Sequence, residues 1–125
     1  MNQDNKNWYK SIVKRGNQQG RSLGFPTINL DAAVLPKSQK EGVFAAKVKH
    51  KRKSYKAALF YGPRVILGES HRVLELYILD FSKDLYDKTV EFQILDFIRD
   101  VKSFSSMKEM KKQIDDDVKK IQALI

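Results

Sequence analysis

The residues best suited to chemistry lie in a glycine-rich segment that runs from Gly16 to Asn29. Glycine recurs there at every fourth position, at Gly16, Gly20 and Gly24, which allows tight turns and a close approach of a ligand to the backbone. Free amides in such a loop can face phosphate oxygens, and Arg21 adds a planar cationic group. The segment contains neither a P-loop motif nor a dinucleotide-binding motif, so its spacing alone leaves a plain turn as the alternative.

The exit from this segment presents two oxygen ligands. Pro26 stiffens the chain, and Thr27 and Asn29 then alternate along an extended stretch, which turns both side chains to the same side. Hydroxyl and amide oxygens suit Mg²⁺, a hard cation that proteins usually share with substrate phosphates. The pattern predicts a metal-assisted phosphate site, and a proline-centred turn closed by these two residues is the structural alternative.

A glutamate within an apolar strand, Glu75, is the candidate general base. Alternation along the strand places it on one face with Val73, Tyr77, Leu79 and Phe81. A carboxylate among apolar groups becomes more basic, which suits proton removal from a substrate hydroxyl within hydrogen-bonding reach. On pattern alone, a surface charge or an ion-pair partner is the alternative.

Short strands with short connections must position these residues. The predicted strands cover residues 11–14, 43–49, 55–61, 73–81 and 89–98, and the third ends at the turn signal Gly62-Pro63. In the second, Phe44, Ala46 and Val48 form the buried face. Closely spaced strands of this kind favour an antiparallel barrel over a parallel sheet with crossover helices.

The end of the chain changes to a helical period, which predicts a helix over about residues 106–125. Ser106 is its predicted N-cap, and Glu109 completes a capping box by reaching back to the Ser106 amide. An apolar stripe should lie across the barrel; its members are Met107, Met110, Ile114, Val118, Ile121 and Ile125.

Length and composition limit the functional classes. The 125 residues favour a single domain over residues 1–125, with residues 1–8 as a flexible N-terminus. No stretch approaches the roughly 20 apolar residues of a membrane span, there is no signal-peptide pattern, and cysteine is absent. A soluble, cytoplasmic protein is expected. The net charge of +9 favours anionic partners without choosing among them.

The glycine-rich segment resembles the signature of the riboflavin kinase family. The matching pattern is Gly16-x-x-x-Gly20-Arg21-x-Leu23-Gly24-Phe25-Pro26-Thr27-x-Asn29-Leu30. Further segments match in the same order; they are Gly42-Val43-Phe44-Ala45, the strand from Leu74 to Phe81, Asp84-Leu85-Tyr86, Ile98-Arg99, Phe104, Ser106, Gln113-Ile114 and Asp117. The resemblance runs from about Ile12 to the end of the chain.

The resemblance implies a fold and an activity. The fold is a small six-stranded antiparallel Greek-key β-barrel with a C-terminal helix, which occurs alone and as the C-terminal half of bifunctional bacterial FAD synthetases. The activity is a Mg²⁺-dependent riboflavin kinase that transfers the ATP γ-phosphate to the ribityl 5′-hydroxyl, giving FMN and ADP. The expected partners are therefore riboflavin, ATP, FMN and ADP, with no membrane, no nucleic acid and a monomeric state.

The resemblance also assigns roles to residues. Glu75 would be the base, Thr27 and Asn29 would hold Mg²⁺, and the nucleotide phosphates would lie against Gly16, Gly20, Arg21 and Thr27. The segment 98–106 would form the flavin wall, with Ile98, Arg99, Phe104 and Ser106. The chain departs from the family pattern at residues 60–65, where a second Pro-Thr is common, at Asp87 in place of a glycine, and at Asp100 in place of a proline.

Two other functions compete with this interpretation. The first is a catalytically inactive flavin-binding barrel, which would have no use for Thr27, Asn29 and Glu75 together. The second is nucleic-acid binding, indicated by the net charge and by Lys51-Arg52-Lys53 close to Tyr55. A solvated hairpin tip explains the same basic run.

Overall fold

The computed structural model describes residues 7–14, 27–66, 69–81 and 84–124. The elements are β1 (Trp8–Ile12), β2 (Ile28–Leu30), a 3-10 turn (Ala32–Val34), β3 (Gly42–His50), β4 (Lys53–Ile66), β5 (Glu69–Ile78), β6 (Thr89–Arg99) and one helix, α1 (Met107–Leu124). Trp8 lies within β1, so the predicted flexible N-terminus is wrong at its end; its residues 1–6 lie outside the described residues.

The six strands form one antiparallel sheet in the order β1-β6-β3-β4-β5-β2. Strands β3, β4 and β5 follow one another, and β6 returns to lie beside β3, which is the Greek-key arrangement. The sheet curls, and its two edges meet where the Lys14 amide donates to the Asn29 carbonyl at 2.7 Å. The predicted six-stranded antiparallel architecture with a C-terminal helix is confirmed.

Alternation along the strands separates the sheet into an inner and an outer face. The predicted buried face of β3 is confirmed, because Phe44, Ala46 and Val48 belong to the inner core. The other large buried side chains of this core come from every neighbouring strand; they include Leu59, Leu74, Leu76, Val90 and Phe92. Ala45 and Tyr77 lie on the outer face, where the helix covers them.

Helix α1 packs across the outer face, as predicted, and begins at Met107, directly after the predicted N-cap Ser106. Its contact with the sheet is made by Ile121, which is fully buried, and by Val118. Met107 does not belong to the buried stripe, since its side chain is exposed. Within the part of the chain that the structure describes, no helix has the length and apolarity needed to span a membrane.

The helix cap differs in part from the predicted capping box. Ser106 Oγ accepts from the Glu109 amide at 3.1 Å, as an N-cap should. The Glu109 carboxylate, however, accepts from the Ser105 hydroxyl at 2.6 Å and from the Ser105 amide at 3.2 Å, instead of the Ser106 amide. These bonds lower the pKa of Glu109, the Ser105 hydroxyl contributing most.

Several predicted strand boundaries are wrong: β1 covers Trp8–Ile12 rather than residues 11–14, and the ends of β4 and β5 differ from prediction for physical reasons. Strand β4 continues through Gly62-Pro63, because β3 begins at Gly42 opposite Tyr61 and leaves one side of β4 without a neighbour beyond that point. Proline is tolerated on such an edge, where no amide is needed. Strand β5 ends at Ile78 rather than at Phe81, and Asp80 then adopts a positive φ of 57° in the following turn.

Candidate functional site

The register of the sheet brings the predicted metal ligand next to the predicted base. Asn29 of β2 pairs directly with Glu75 of β5. Residues that lie directly opposite in an antiparallel pair have their Cβ atoms about 5 Å apart on the same face. Thr27 precedes Asn29 by two residues, and both side chains are half-buried. An oxygen ligand and a carboxylate therefore lie side by side on the outer face.

The same row of paired residues continues across the sheet to the predicted flavin wall. Glu75 lies opposite Phe60, Phe60 opposite Val43, and Val43 opposite Arg99, with a bulge in the β3–β6 pairing next to Val43. Each step crosses about 4.8 Å between strands. Asn29, Glu75 and Arg99, which were predicted to have three different roles, thus belong to one row on one face.

Glu75 is only 9% exposed to solvent, and it is one of the few buried polar residues among those described. Tyr77 and Leu79 share the outer face with Glu75, as predicted, and both belong to the cluster that packs under the helix. The prediction that Phe81 lies on the same face is wrong. Phe81 follows the turn at Asp80 and packs on the inner core, where its ring lies 4.9 Å from that of Tyr55.

Tyr77 provides a second polar group on the outer face. Burial raises the pKa of its phenol above the usual value of 10.0, and the nearby Asp80 and Asp115 carboxylates raise it further. The phenol is therefore neutral at physiological pH and can act only as a hydrogen-bonding group.

Arg99, the predicted flavin residue at the end of β6, is held by the helix. Its Nε donates to both carboxylate oxygens of Asp117, at 2.9 and 3.0 Å, and its Nη2 lies 2.9 Å from Asp117 Oδ2. The Nη1 group donates to the Asp100 carbonyl at 3.1 Å. The guanidinium carbon lies 5.8 Å from the ring centroid of Phe104. Two of the four predicted flavin residues are thus placed together.

The segment after β6 crosses the outer face beside the candidate base. A Cβ atom on Gly62 would come within 2.8 Å of Val101 Cγ2 and 3.4 Å of Phe60 Cζ, so Val101 packs directly above this glycine. Phe60 is the cross-strand neighbour of Glu75. The segment 98–106 therefore borders the row that contains Glu75, as a wall would.

The two remaining flavin residues lie at the start and the end of this segment. Ile98 is half-buried and packs on the outer-face cluster under the helix. Ser106 is exposed, and its hydroxyl is used by the helix cap. Ser106 and Arg99 therefore lie at opposite ends of one short segment, and the Ser106 side chain faces solvent.

Asp117 is a site residue whose role was missed from the sequence. It retains 2% exposure and also accepts from Gln113 Nε2 at 3.0 Å. A usable signal exists, because Asp117 lies three residues after Ile114 and four before Ile121, on the apolar side of the helix. A carboxylate at such a position requires a cationic partner.

The predicted phosphate-binding residues Gly16, Gly20 and Arg21 lie outside the described residues, as does Pro26. Their roles remain predictions. The described part of the site consists of Thr27, Asn29, Glu75 and the segment after β6.

A group of exposed cations lies away from this site, on the outer face of β1 and β3 and at the tip of the β3–β4 hairpin. We call it the basic surface; its members are Lys10, Lys47, Lys49, Lys51, Arg52 and Lys53. Lys10 and Lys49 flank Glu91 in one cross-strand row, and Lys49 Nζ lies 4.1 Å from the ring centroid of Trp8. An extended positive area with an aromatic ring can bind a polyanion.

Comparison with known proteins identifies relatives over nearly the whole chain. The flavokinase family model, which describes riboflavin kinase, matches residues 5–125. A bifunctional riboflavin kinase/FMN adenylyltransferase of Haemophilus influenzae is 34% identical over 114 residues, which cover 89% of this chain and 36% of the relative. The RNA-binding riboflavin kinase RibR of Bacillus subtilis is 32% identical over 107 residues, which cover 85% of this chain and 46% of the relative. The chain thus spans less than half the length of these relatives.

Solved structures share the fold. A riboflavin kinase from Trypanosoma brucei superposes with a TM-score of 0.63 at 25% identity, covering 94% of this chain and 78% of that one. A Streptococcus pneumoniae protein described as a macrolide-efflux protein gives a TM-score of 0.79 at 31% identity, covering 92% of this chain and 38% of that one. The folded unit seen here is therefore found both in a short chain and within a longer one.

Proposed function

The chain belongs to the riboflavin kinase family, and on that premise we propose that it phosphorylates riboflavin to FMN. The phosphate donor is ATP, the acceptor is the ribityl 5′-hydroxyl, and Mg²⁺ is required. For this chain, FMN and ADP are the end products.

The pairing of Asn29 with Glu75 is the observation that carries this proposal. A kinase must hold a metal–phosphate group next to the base that receives the acceptor proton. A flavin-binding barrel without activity would have no use for a buried carboxylate beside an oxygen ligand. The pairing therefore favours the enzyme over the inactive binder.

In the proposed reaction, the ribityl 5′-oxygen forms a bond to the γ-phosphorus. The bond between that phosphorus and the β,γ-bridging oxygen breaks, and ADP leaves with its electron pair. The hydroxyl proton passes to the Glu75 carboxylate, whose burial keeps water from competing for it. Asn29 and Thr27 orient the phosphates so that the donor and the acceptor are in line.

The donor set is compatible with Mg²⁺. Thr27 and Asn29 supply neutral, hard oxygens, and Mg²⁺ usually takes most of its remaining ligands from water and substrate phosphates. Among the described residues, no group of three or more His, Cys, Asp or Glu side chains forms a protein-only metal site. When bound, Mg²⁺ would neutralise charge on the phosphates.

The flavin ring would bind against the segment 98–106. Phe104 offers an aromatic face, and the Arg99 guanidinium, kept in place by Asp117, offers donors at its edge. Arg99 and Glu75 lie in the same row, with Val43 and Phe60 between them. A flavin ring bound at Arg99 would therefore direct its ribityl chain along this row towards Glu75.

Purified protein incubated with riboflavin, ATP and Mg²⁺ tests the proposal directly. Chromatography should show FMN, without FAD, and the yield should depend on the divalent metal. If no FMN forms at high enzyme concentration, with CTP and GTP also tried, the kinase proposal fails. Light scattering on the same sample tests the proposed monomeric state, and fractionation of the source cells tests the proposed cytoplasmic location.

The variant Glu75→Gln tests the role of the base. It should bind riboflavin and nucleotide normally but lose at least about 100-fold in kcat, as expected on removal of a general base. Glu91→Gln, in β6 and outside the row that contains Glu75, is the matched control and should retain full activity. Unchanged turnover in Glu75→Gln would remove Glu75 as the base.

The basic surface supports a second candidate function, the binding of RNA. Its cations extend from β1 to the tip of the β3–β4 hairpin, and a family relative is described as an RNA-binding riboflavin kinase. Binding should weaken steeply with salt, since phosphate neutralisation releases counterions. The double variant Lys47→Glu/Lys49→Glu should abolish a gel shift that Lys119→Glu/Lys120→Glu on the helix leaves intact. Equal effects of the two pairs would indicate non-specific attraction to the net charge.

A further inference from the structure

The isolated bridge between Lys14 and Asn29 extends the row of site residues by one position. We propose that the Lys14 ammonium binds the phosphates of the nucleotide and compensates their charge during transfer. This inference rests on the proposed kinase function and adds a phosphate-binding residue to it.

The backbone around Lys14 is fixed from three directions. The Val13 amide donates to the Lys88 carbonyl at 2.8 Å, and the Val13 carbonyl accepts from the Asp87 amide at 2.9 Å. The Lys14 amide donates to the Asn29 carbonyl at 2.7 Å. The position of Lys14 relative to Asn29 is therefore set by the closure of the sheet.

The side chain of Lys14 must leave the sheet on the face that carries the site. Val13 is fully buried in the inner core, so the next residue points to the outer face. Lys14 and Asn29 are directly opposed, which places their Cβ atoms about 5 Å apart on that face. Glu75 is one strand further, about 10 Å from Lys14.

This geometry suits a phosphate ligand rather than a base or a metal. Lysine carries a compact charge on a long flexible stem, so the ammonium of an exposed Lys14 can extend over Asn29 towards a phosphate held there. Phosphoryl transfer depends on positive charge around the transferred group. Among the described residues, Lys14 is the cation paired directly with a predicted metal ligand, and no carboxylate in that part of the chain forms an ion pair with it within 4 Å.

Three variants test the proposal. Lys14→Gln removes the charge, Lys14→Arg retains it, and Lys37→Gln changes an exposed lysine in the loop after the 3-10 turn. The affinities for MgATP and for adenosine are measured by calorimetric titration. Lys14→Gln should weaken MgATP binding roughly tenfold or more, which corresponds to the free energy of one hydrogen bond to a charged group. Adenosine and riboflavin affinities and the melting temperature should not change. Lys14→Arg should restore much of the MgATP affinity, and Lys37→Gln should resemble the parent.

The outcomes separate this proposal from the kinase proposal. If Lys14→Gln binds MgATP as tightly as the parent does, Lys14 is a solvated lysine and the inference is overturned, whether or not FMN forms. If the parent makes no FMN but the Lys14→Gln substitution still weakens MgATP binding, the phosphate contact stands and the kinase proposal fails. An unfolded Lys14→Gln would be replaced by Lys14→Met, and absence of MgATP binding in the parent overturns the inference as well.

Discussion

Arg99 and Asp117 form a bidentate ion pair that joins the last strand to the helix, with Arg99 Nε 2.9 and 3.0 Å from the two carboxylate oxygens. The Asp117 side chain retains 3% exposure and that of Arg99 17%, so water screens the pair little. Gln113 donates to the same carboxylate and accepts from Lys102 Nζ at 3.2 Å, which connects the segment after β6 to the helix a second time. The pair therefore fixes both the helix and the proposed flavin wall.

Removal of one partner should leave the other buried and uncompensated. Asp117→Asn should reduce the free energy of unfolding by about 3 kcal/mol, the usual effect of breaking a buried ion pair. Urea denaturation measures the change, and Asp116→Asn, an exposed neighbour on the same helix, is the control. A loss below about 0.5 kcal/mol would show that the pair contributes no net stability.

This pair also marks what sequence patterns can and cannot predict. The buried alternation of Phe44, Ala46 and Val48 and the helical period were correctly predicted, because a sheet face and a helix stripe record burial in local spacing. The partner of Asp117 lies 18 residues away in the chain, and no local pattern specifies which cation reaches it.

The pairing register of the strands could not be predicted from local sequence patterns either. Asn29, Glu75 and Arg99 could be proposed one by one from motifs, but their common row follows from four strand pairings. The boundary error at Gly62-Pro63 has the same origin, since the two residues signal a turn unless one side of the strand is an edge. The wrong face for Phe81 followed from extending β5 beyond Ile78.

The β3–β4 hairpin turn provides a second prediction. Lys51 and Arg52 have φ values of 50° and 70°, as a two-residue type I′ turn requires, but neither residue favours that conformation. Replacing them with Asn-Gly should raise the free energy of unfolding by about 1 kcal/mol. Chemical denaturation checks this value. Ser54→Gly, within the adjoining strand, should instead lower it, and a gain from both changes would contradict the turn explanation.

Asp87, which replaces a glycine common in the family, has a φ of 66°. Asp87→Gly should therefore relieve backbone strain and raise the free energy of unfolding by roughly 0.5 kcal/mol. The gain is small because glycine also has more conformational freedom in the unfolded chain, which partly offsets the relief of strain. Thermal melts of this variant and of Lys88→Gly, the exposed neighbouring residue, separate the two effects. A stabilising Lys88→Gly would indicate that local flexibility, not the φ of Asp87, decides the result.

Glu109 gives the helix cap a defined pH dependence. Its pKa is lowered by the Ser105 hydroxyl and amide, so its folded-state pKa lies below that of the unfolded chain. The stabilisation is therefore present above the ordinary value of 4.5 and is lost as the pH falls through the folded-state pKa. Glu109→Gln should melt at a lower temperature than the parent at pH 7, and the difference should vanish once the pH is below the folded-state pKa of Glu109. Ser105→Ala should reduce this pH-dependent difference, and a difference that persists at low pH would assign it to packing.

The ion pair of Arg99 with Asp117 should also set the affinity for riboflavin. Asp117 lies under the wall segment and acts on the flavin only through Arg99, so it is a positioning residue. At a temperature where Asp117→Asn is still folded, its KM for riboflavin should rise about tenfold, whereas its KM for MgATP and its kcat should change less than twofold. Asp117→Glu, which keeps the charge, should recover part of the riboflavin affinity. Steady-state kinetics with each substrate varied in turn gives the four constants. Equal rises in both KM values would indicate general loosening of the fold, and an unchanged riboflavin KM would remove Arg99 from the flavin wall.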